Sequence, residues 1–389
     1  MLIHSHEPAN PTLFPNIGHV DRHEWDALVS DQDFFNSHGW LASLDYALGE
    51  GDVFTLYGNA GLLGGSALWD GEKQPGLFYL PDYFPGLDGP WQEPFLWVGA
   101  RRSTHNEIPC VRGRRRGEIL STIAKTLAHL AKRRGYYAAI VPYMPLSQAL
   151  EVAKSYPHAR VIMHSAEATL AVPVGGLDSQ LQLQRSHHRV RAKAELTAFS
   201  RLGNRVEWCQ LDESLLESAT ELIANNREKY GSHQGPDWMR RIFDGQKKSS
   251  VIGAAVAAVA KRGDEISGVT IFYRFGDTLH ARYYGSNYQI SDNDFRYFVL
   301  TYYHSLDYAA KNGIRECRLS ISALGAKALR GAAIEPLAAL LLFENTPPVS
   351  ARECDNYNQH FYQHYEQQHG SHLTPDWALL DKRKILCCI

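Results

Sequence analysis

The segment GAKALRG places two cations, Lys327 and Arg330, between two glycines. The apolar runs that flank it, residues 317–322 and 334–343, predict two buried strands joined by this turn. Glycine adopts backbone angles that other residues avoid, so the turn can aim amide groups and both cations at one anion. We predict that Lys327 contacts a phosphate or a developing oxyanion and that Arg330 positions substrate. The alternatives are a solvated turn, or an ion pair of Arg330 with a carboxylate such as Glu335.

The segment QRSHHRVRAKAEL is a second source of cations. On a helix, Arg185, Arg189 and Lys193 recur every four residues and therefore lie on one face. Several cations on one face suit a chain of phosphates, and we predict that these three bind the phosphates of a donor. A solvated cationic face, paired with acids elsewhere, is the alternative. The basic clusters at 112–116 and 132–134 are interpreted as surface features.

Several common catalytic motifs are missing from the sequence. It contains no GxSxG nucleophile elbow, no phosphate-binding P-loop and no GxGxxG segment after a predicted strand. The commonest signatures of hydrolases, kinases and dehydrogenases are therefore excluded, and no single side-chain nucleophile stands out. Direct acyl transfer to an amine needs no such nucleophile, because the acceptor attacks and the protein supplies orientation and oxyanion donors.

Histidine is frequent, with 18 residues, and is densest towards the end of the sequence. His360 and His364 have the i, i+4 spacing of metal ligands on a helix, but no glutamate stands between them as in zinc proteases. We therefore expect no bound metal and no cofactor. Metal binding by the tail group is the alternative, and its members are Cys354, His360, His364, His369 and His372.

The bulk composition predicts a folded, cytoplasmic protein. The chain has 389 residues, 44% of them hydrophobic, and a net charge of −2. That length exceeds one ordinary core and predicts two domains, while the charge balance argues against DNA as a partner. The six cysteines form no CxxC pair, which is typical of reduced thiols. The longest run of small apolar residues, 251–260, is too short for a membrane span.

Hydrophobic periodicity predicts the same order of elements twice. In the second half, a helix capped by Asp212 precedes a three-strand antiparallel meander over 251–284, a helix over 294–311 and two strands. The first half repeats this order less clearly, with a helix over 118–134 and a strand over 137–141. Both long helices end in a lysine and a glycine before a strand, which indicates two similar lobes.

The boundary between the lobes is placed at Gly175-Gly176, where two glycines separate a predicted strand from a helix. Aromatic residues recur every four positions after Pro347, so the end of the chain is predicted to pack back as a helix. The predicted domains are a first lobe, 1–175, a second lobe with the candidate active site, 176–345, and a helical tail, 346–389.

The order of helix, meander, long helix, strand and Lys-x-x-Arg-Gly resembles the acyltransferase fold of the GNAT superfamily. More narrowly, it resembles the two-lobed Fem-type (FemABX-like) aminoacyltransferases, best over 180–345 and mainly in layout before that. The resemblance implies an α/β (α+β) fold of two tandem GNAT-like lobes, each a mixed, mostly antiparallel sheet flanked by helices. The matching elements are Asn226–Gly231, Ala281–Gly285, Tyr302–Ala310 and Ala326–Gly331.

The same resemblance implies a bacterial biosynthetic enzyme. It would move an aminoacyl group from aminoacyl-tRNA, as co-substrate, to an amine or hydroxyl of a small metabolite or cell-wall precursor, which makes tRNA a partner. In the matching elements we predict substrate contacts for Lys229, Tyr230 and Arg282. We predict a catalytic role for Tyr284, whose ring can line a cleft while that of Tyr283 faces the core.

Two other functions stay open. Conventional GNAT members take acyl-CoA and hold its pyrophosphate at an Arg/Gln-x-x-Gly-x-Gly/Ala loop that opens a helix. Here the corresponding segment, 285–294, reads GSNYQISDND and lacks that loop, which weakens the case for an acyl-CoA-dependent N-acyltransferase. The remaining alternative is a pair of lobes that has lost catalysis and serves as a binding module.

Overall fold

A computed structural model describes residues 10–290 and 294–380 of the chain. The strands are β1 (Asn10–Phe14), β2 (Val53–Gly58), β3 (Gly61–Asp70), β4 (Leu96–Val98), β5 (Ala139–Pro145), β6 (Ala159–Ala171), β7 (Asn204–Cys209), β8 (Ala255–Arg262), β9 (Glu265–Phe275), β10 (Thr278–Ser286), β11 (Glu316–Arg318) and β12 (Ala333–Leu342). The α-helices are α1 (Arg22–Asp26), α2 (His38–Leu48), α3 (Arg116–Arg133), α4 (Leu146–Ser155), α5 (Gly176–Leu183), α6 (Ser186–Arg201), α7 (Glu213–Lys229), α8 (Gly235–Lys248), α9 (Arg296–Phe298), α10 (His304–Lys311), α11 (Leu324–Ala328) and α12 (Ala351–His369). A π-helical turn, Val299–Tyr303, joins α9 to α10.

The described chain forms two compact units. The first comprises the residues up to Asp45, Gly49–Ala166 and those from Glu335 onward. The second comprises Tyr46–Leu48 and Glu167–Ile334. In the first unit, strands follow one another in the order β1-β2-β3-β4-β5-β12, and in the second in the order β7-β8-β9-β10-β11-β6.

The two units share one topology. In each, four strands form an antiparallel meander, the fourth strand pairs in parallel with the fifth, and the fifth pairs antiparallel with a sixth. The long helices α3 and α9–α10 both precede the strand that makes the parallel pair. The predicted fold class, two tandem GNAT-like lobes with mixed and mostly antiparallel sheets, is therefore confirmed.

Helix α7 shows how local sequence builds the second unit. The Asp212 side chain caps its start by accepting a hydrogen bond from the Leu215 backbone N–H at 2.8 Å. The apolar face of α7 then packs against β10. Gly285 permits this close approach, because a Cβ at that position would lie 2.6 Å from the backbone nitrogen of Ile223. Asp212 and Gly285 together place the end of α7 beside β10, where the candidate site lies.

The division of the chain differs from the predicted domains in two places. The middle segment of the first unit ends at Ala166, inside β6, rather than at Gly175-Gly176, and residues 169–171 of this strand belong to the second unit, where they pair with β11. The predicted tail belongs to the first unit, where Asn358 of α12 accepts a hydrogen bond from the Met163 backbone N–H at 2.8 Å. The tail is helical over α12, and residues 381–389 lie outside the described part.

The segment GAKALRG is not a simple turn between two strands. Strand β11 ends at Arg318, and the residues that follow lead into the short helix α11. Gly325 lies inside this helix, whereas Gly331 has the predicted positive φ, 93°. In the described part of the chain, no helix combines the length and the apolar character that crossing a bilayer requires.

Candidate active site

The sheet of the second unit forks between β10 and β11. The two strands pair in parallel only over Thr278–His280 and Glu316–Arg318. β11 then ends, whereas β10 continues to Ser286, with a bulge between Ala281 and Tyr283. The separation of two neighbouring strands leaves room between them for a ligand.

A cavity of about 1110 Å³ lies at this fork. Its walls come from the end of α7, the free part of β10, the start of α9 and the segment after β11. Tyrosine dominates the lining, and cations stand among the rings. The lining residues are Asn226, Lys229, Tyr230, Thr270, residues 281–284, Tyr288, residues 294–298, Thr301, Leu319, Ser320, Ser322 and Ala323.

Strained backbone is concentrated in the cavity wall. Phe295, Ser320 and Ala323 have φ values of 60°, 65° and 51°, in the left-handed region that residues with a Cβ seldom adopt. They are three of the six non-glycine residues with positive φ in the described chain, and all three line the cavity. Such strain persists only where the surrounding structure enforces it, and it is typical of active sites.

Lys327 lies behind the cavity wall rather than in the cavity. Its ammonium group is fully buried and donates hydrogen bonds to the carbonyl oxygens of Leu319 and, at 3.1 Å, Ser320, both of which line the cavity. Burial lowers the pKa of Lys327 to about 7, and the negative charge of Glu167 opposes this shift. The predicted position is corrected accordingly: the ammonium group holds the wall and does not face an open anion site.

Tyr284 lines the cavity, as its predicted role requires. Its ring meets that of Tyr297 edge-on, with 4.8 Å between the centroids. Burial raises the pKa of Tyr284 above its ordinary value, so the phenol stays protonated near neutral pH and can donate a hydrogen bond. The ring of Tyr283 instead packs against Phe243 and Tyr273.

The predicted substrate-binding residues of α7 and β10 meet at the same cavity. The Nζ of Lys229 lies 4.0 Å from the centroid of the Tyr288 ring, a cation–π contact. The Tyr288 hydroxyl donates to the side-chain oxygen of Asn226 at 2.5 Å. Tyr230 is 77% exposed, and Arg282 lines the β10 side. The fork thus brings together a phenol donor, two cations and an exposed ring.

Arg330 forms a buried ion pair instead of facing the cavity. Its Nη2 lies 2.5 Å from Glu195 Oε1, and both side chains are only 6% exposed. The guanidinium group also lies 3.2 Å from the centroid of the Phe298 ring. Glu195 accepts a further hydrogen bond from the Tyr303 hydroxyl at 2.6 Å. The predicted substrate contact is therefore replaced by a structural pair, and its partner is Glu195 rather than Glu335.

The three cations predicted to bind donor phosphates are Arg185, which precedes α6, and Arg189 and Lys193 in its first half, and none of them is among the cavity residues. Arg185 and Lys193 are exposed. Arg189 is half-buried, and its Nη1 donates to the carbonyl oxygen of Gln184 at 2.5 Å. Arg185 and Lys193 therefore remain accessible to an external anion, whereas Arg189 holds the turn between α5 and α6.

A second buried ion pair stands where the long helix begins. Arg296 Nη2 lies 2.6 Å from Asp294 Oδ2, and the two side chains are 2% and 1% exposed. Asp294 Oδ1 also accepts a hydrogen bond from the Arg296 backbone N–H at 3.1 Å. Backbone N–H groups at a helix start can bind an external anion, but here the N–H of Arg296 is already hydrogen-bonded to the carboxylate of Asp294. Residues 291–293 of the segment that precedes this helix lie outside the described residues.

Sequence reasoning missed several of these residues. Glu195 carried a signal, because it is the one acid between Arg185 and Arg201 and an isolated acid on a cationic helix favours a buried ion pair. The Asp-x-Arg spacing of Asp294 and Arg296 is compatible with an Asx turn, in which an Asp side chain accepts the backbone N–H two residues on. Tyr297 gave no signal, because its contact with Tyr284 depends on the fold.

The first unit contains the equivalent fork, between β4 and β5, but there it is filled. Asn106 is fully buried and bonds to backbone on both sides of the fork. Its Nδ2 donates to the Pro142 carbonyl oxygen at 3.0 Å, and its Oδ1 accepts from the Ala100 N–H at 2.9 Å. Its backbone N–H donates to the Tyr143 carbonyl oxygen at 3.0 Å. The second unit is therefore the better place for a ligand.

A smaller cavity of the first unit, about 310 Å³, is a weaker candidate. Its polar groups bond to one another: Arg134 lies 2.6 Å from Asp52, and the Tyr136 hydroxyl donates to Asp70. Across residues 10–290 and 294–380, no three His, Cys, Asp or Glu side chains are grouped as ligands for a metal ion, and the tail histidines are included in that statement.

Comparison with known structures places the fold. FemX is 12% identical over 90% of this chain and 99% of its own, with a TM-score of 0.57. The C-terminal domain of a putative lysylphosphatidylglycerol synthetase from Agrobacterium fabrum is 10% identical, over 90% and 96%, with a TM-score of 0.50. A conserved protein of unknown function from Bacteroides thetaiotaomicron is 10% identical, over 83% and 98%, with a TM-score of 0.53. At such identities these likenesses show a shared fold.

Sequence comparison supplies the family. No curated protein matches the chain. Residues 104–345, more than half of the chain and all of the fork cavity, match the FemAB-like family, described as peptidoglycan biosynthesis and recognition. The resemblance to Fem-type proteins that the sequence indicated is confirmed, and the chain belongs to the FemAB-like family.

Proposed function

We propose that the protein is an acyltransferase that moves an aminoacyl group from aminoacyl-tRNA to an amine or hydroxyl of a small metabolite or cell-wall precursor. Membership of the FemAB-like family supports aminoacyl transfer in the broad sense. The observation that carries the proposal is the fork cavity, which is lined both by Tyr284, Lys229 and Arg282 and by the strained backbone of Ser320 and Ala323.

Transfer at this site needs no covalent enzyme intermediate. The acceptor nitrogen or oxygen attacks the carbonyl carbon of the aminoacyl ester, the new bond forms, and the ester bond to the tRNA ribose breaks. The proton lost by the acceptor ends on the released ribose oxygen. The protein contributes orientation and hydrogen bonds to the carbonyl oxygen while that oxygen is negatively charged. We assign such a hydrogen bond to Tyr284 and the shaping of the wall at 319–320 to Lys327.

Tyr284→Phe is expected to lower turnover roughly 10–100-fold, the cost of one hydrogen bond that is made to a charged oxygen in the transition state. The melting temperature should change little, because the ring and its edge-on contact with Tyr297 remain. Steady-state kinetics and thermal melting check both statements. Tyr308→Phe is the matched control, because the ring of Tyr308 stacks on Trp208 and does not line the cavity. Unchanged turnover in Tyr284→Phe would remove Tyr284 from the chemistry.

The start of the long helix supports aminoacyl-tRNA over acyl-CoA as donor. In conventional GNAT members the pyrophosphate of CoA binds at such a helix start. Here the buried carboxylate of Asp294 already accepts a hydrogen bond from the Arg296 backbone N–H, and the Arg296 guanidinium group neutralises the charge of that carboxylate. A pyrophosphate at this place would have to displace Asp294 from both partners and would meet its negative charge.

The donor can be tested with purified protein and a panel of amines. Aminoacyl-tRNA carrying radiolabelled amino acids is supplied in one arm and radiolabelled acetyl-CoA in the other. The expected result is transfer of label from acid-precipitable tRNA to soluble product, abolished by prior ribonuclease treatment. Label taken from acetyl-CoA, insensitive to ribonuclease, would overturn the proposal in favour of an acyl-CoA-dependent enzyme. No transfer from either donor would favour a binding module.

A further inference from the structure

Helix α6 presents a cationic surface on the outside of the second unit. Arg185, Arg191, Lys193 and Arg201 are exposed. Within residues 10–290 and 294–380, none of the four forms an ion pair with a carboxylate. We call these four residues the α6 surface. In a chain whose net charge is −2, four cations without a carboxylate partner on one helix are a local excess of positive charge.

The one acid of this helix does not reduce that charge. Glu195 is the only Asp or Glu between Arg185 and Arg201, and its side chain is 6% exposed. Its carboxylate points inward to Arg330, with Oε2 3.1 Å from the arginine Nε. The negative charge of Glu195 is thus neutralised by Arg330 inside the unit, and it does not neutralise the exposed cations of α6.

The same ion pair connects α6 to the fork cavity. Arg330, bound to Glu195, lies over the ring of Phe298 at 3.2 Å. Phe298 is part of the cavity wall. The buried side of α6 is therefore connected, through Arg330, to a residue that lines the cavity, and the cations lie on the same helix as this connection.

We propose that the α6 surface binds the phosphate backbone of the tRNA whose aminoacyl end enters the fork cavity. The proposal rests on the proposed function and adds the place where the donor docks. Lys193 and Arg201 lie about 12 Å apart along the helix, at a rise of ~1.5 Å per residue, on the side away from the buried Ala192 and Phe199. Arg191 lies on one flank of this side and Arg185 at the N-terminal end of the helix, so the cations can contact more than one phosphate. Arginine suits phosphate oxygens particularly well, because its planar fork can donate two parallel hydrogen bonds.

An anionic lipid surface is less well suited to this helix. A helix that lies in a membrane interface needs an apolar face directed at the lipid. In α6 the apolar residues Ala192 and Phe199 are buried in the unit. Val190 in the helix is 65% exposed, and Leu183 and Leu202, beyond its two ends, are 79% and 37% exposed, but three separate residues do not make the continuous apolar face that a lipid interface requires. The outer side of α6 thus offers charge with little apolar area, which favours a nucleic acid.

The test replaces all four residues of the α6 surface with glutamine, R185Q/R191Q/K193Q/R201Q, in the full chain. The control, R112Q/R114Q/K132Q/R133Q, removes the same charge from four exposed cations of the first unit. Deacylated tRNA binding is measured by fluorescence anisotropy at several salt concentrations. In parallel, kinetics with aminoacyl-tRNA give kcat and KM, and binding to phosphatidylglycerol vesicles tests the lipid alternative.

The α6 variant is expected to bind tRNA at least about 10-fold more weakly than the wild type and the control. Its KM for aminoacyl-tRNA should rise in proportion, with kcat unchanged. The slope of log affinity against log salt should fall in magnitude by roughly 0.7–0.9 for each lost phosphate contact. Wild-type affinity in the α6 variant, equal losses in both variants, or a loss confined to vesicles would each overturn the inference.

Failure of the proposed function gives a different result. If the wild type uses acyl-CoA and not aminoacyl-tRNA, the kinetic measurements with the two donors reveal this, whatever the result of the tRNA-binding measurement. A selective loss of tRNA affinity in the α6 variant would then still support the binding surface, whereas the donor assignment would be withdrawn. If aminoacyl-tRNA is used with equal KM by wild type and α6 variant, the donor assignment stands and the α6 surface is wrong.

Discussion

Arg330→Met is expected to lower the free energy of unfolding by about 3–5 kcal/mol, the usual cost of removing one partner of a buried ion pair. The variant leaves the carboxylate of Glu195, 6% exposed, with the Tyr303 hydroxyl as its remaining side-chain donor. Methionine fills much of the volume of arginine, so the substitution leaves little empty space, and the loss of stability comes mainly from the unpaired carboxylate. Chemical denaturation, followed by circular dichroism, measures the change.

Two further variants test whether the loss of stability comes from the unpaired buried charge and not from the removal of any arginine. Arg330→Met combined with Glu195→Gln removes both charges but keeps an acceptor for Tyr303, and it should recover most of the lost stability. Arg240→Met removes an arginine that meets three carboxylates but is 39% exposed, and its effect should be far smaller because solvent screens exposed pairs. Equal losses in Arg330→Met and Arg240→Met would contradict the importance of burial.

Lys327→Met is expected to lower turnover by about 10²-fold, the loss that a displacement of about 1 Å in the groups that position substrate can cause. The physical reason is indirect. The carbonyl groups of Leu319 and Ser320 lose their ammonium partner, and the strained segment that lines the cavity is then free to relax. Lys311→Met, at the exposed end of α10, is the control and should leave turnover unchanged.

The stability of the Lys327→Met variant should also differ from that of the wild type in a pH-dependent way. In the folded protein the pKa of Lys327 is lowered to about 7, whereas in the unfolded chain it is about 10.4. Between these values unfolding takes up a proton, so the stability contributed by Lys327 is fully present above the unfolded pKa and is lost as the pH falls towards 7. The melting temperature of the wild type relative to Lys327→Met should therefore rise from pH 7 to pH 9.

Retained turnover in Lys327→Met, together with a constant difference in melting temperature across this pH range, would contradict both statements. The lysine would then be an ordinary charged residue whose ammonium group is solvated in the folded protein. Loss of turnover without the pH effect would keep its role in shaping the wall but would place its pKa near the ordinary value.

Much of the fold follows from local sequence. The meander β8–β9–β10 was predictable because β-branched and aromatic runs alternate with Gly-Asp turns, and α7 because Asp212 precedes an apolar stripe. The helix that ends at Lys311 was predicted within two residues of its observed start at Arg296. Helix α8 was missed, although Pro236 stands in its first turn and its apolar residues follow a helical period.

The domain boundary was harder to predict than the elements. Gly175-Gly176 does separate a strand from a helix, but residues 169–171 of β6 pair with β11, and β12 pairs with β5. Strand pairing over such long sequence separations leaves no local signal, because it depends on which edges remain free after the meanders have formed. Each compact unit therefore contains strand residues that a linear division of the chain at Gly175-Gly176 assigns to the other lobe.

For the candidate site, the sequence by itself determined the residue types: the cations and tyrosines of α7 and β10, the Lys-x-x-Arg-Gly segment and the cationic α6. Only the tertiary structure decided which of them face a ligand. Lys229, Tyr230, Arg282 and Tyr284 line the fork cavity, whereas Lys327 and Arg330 turn inward to carbonyl groups and to Glu195. The physical reason is that a charged side chain is buried or exposed according to the partners that distant segments bring to it, and a sequence pattern specifies the charge but not those partners.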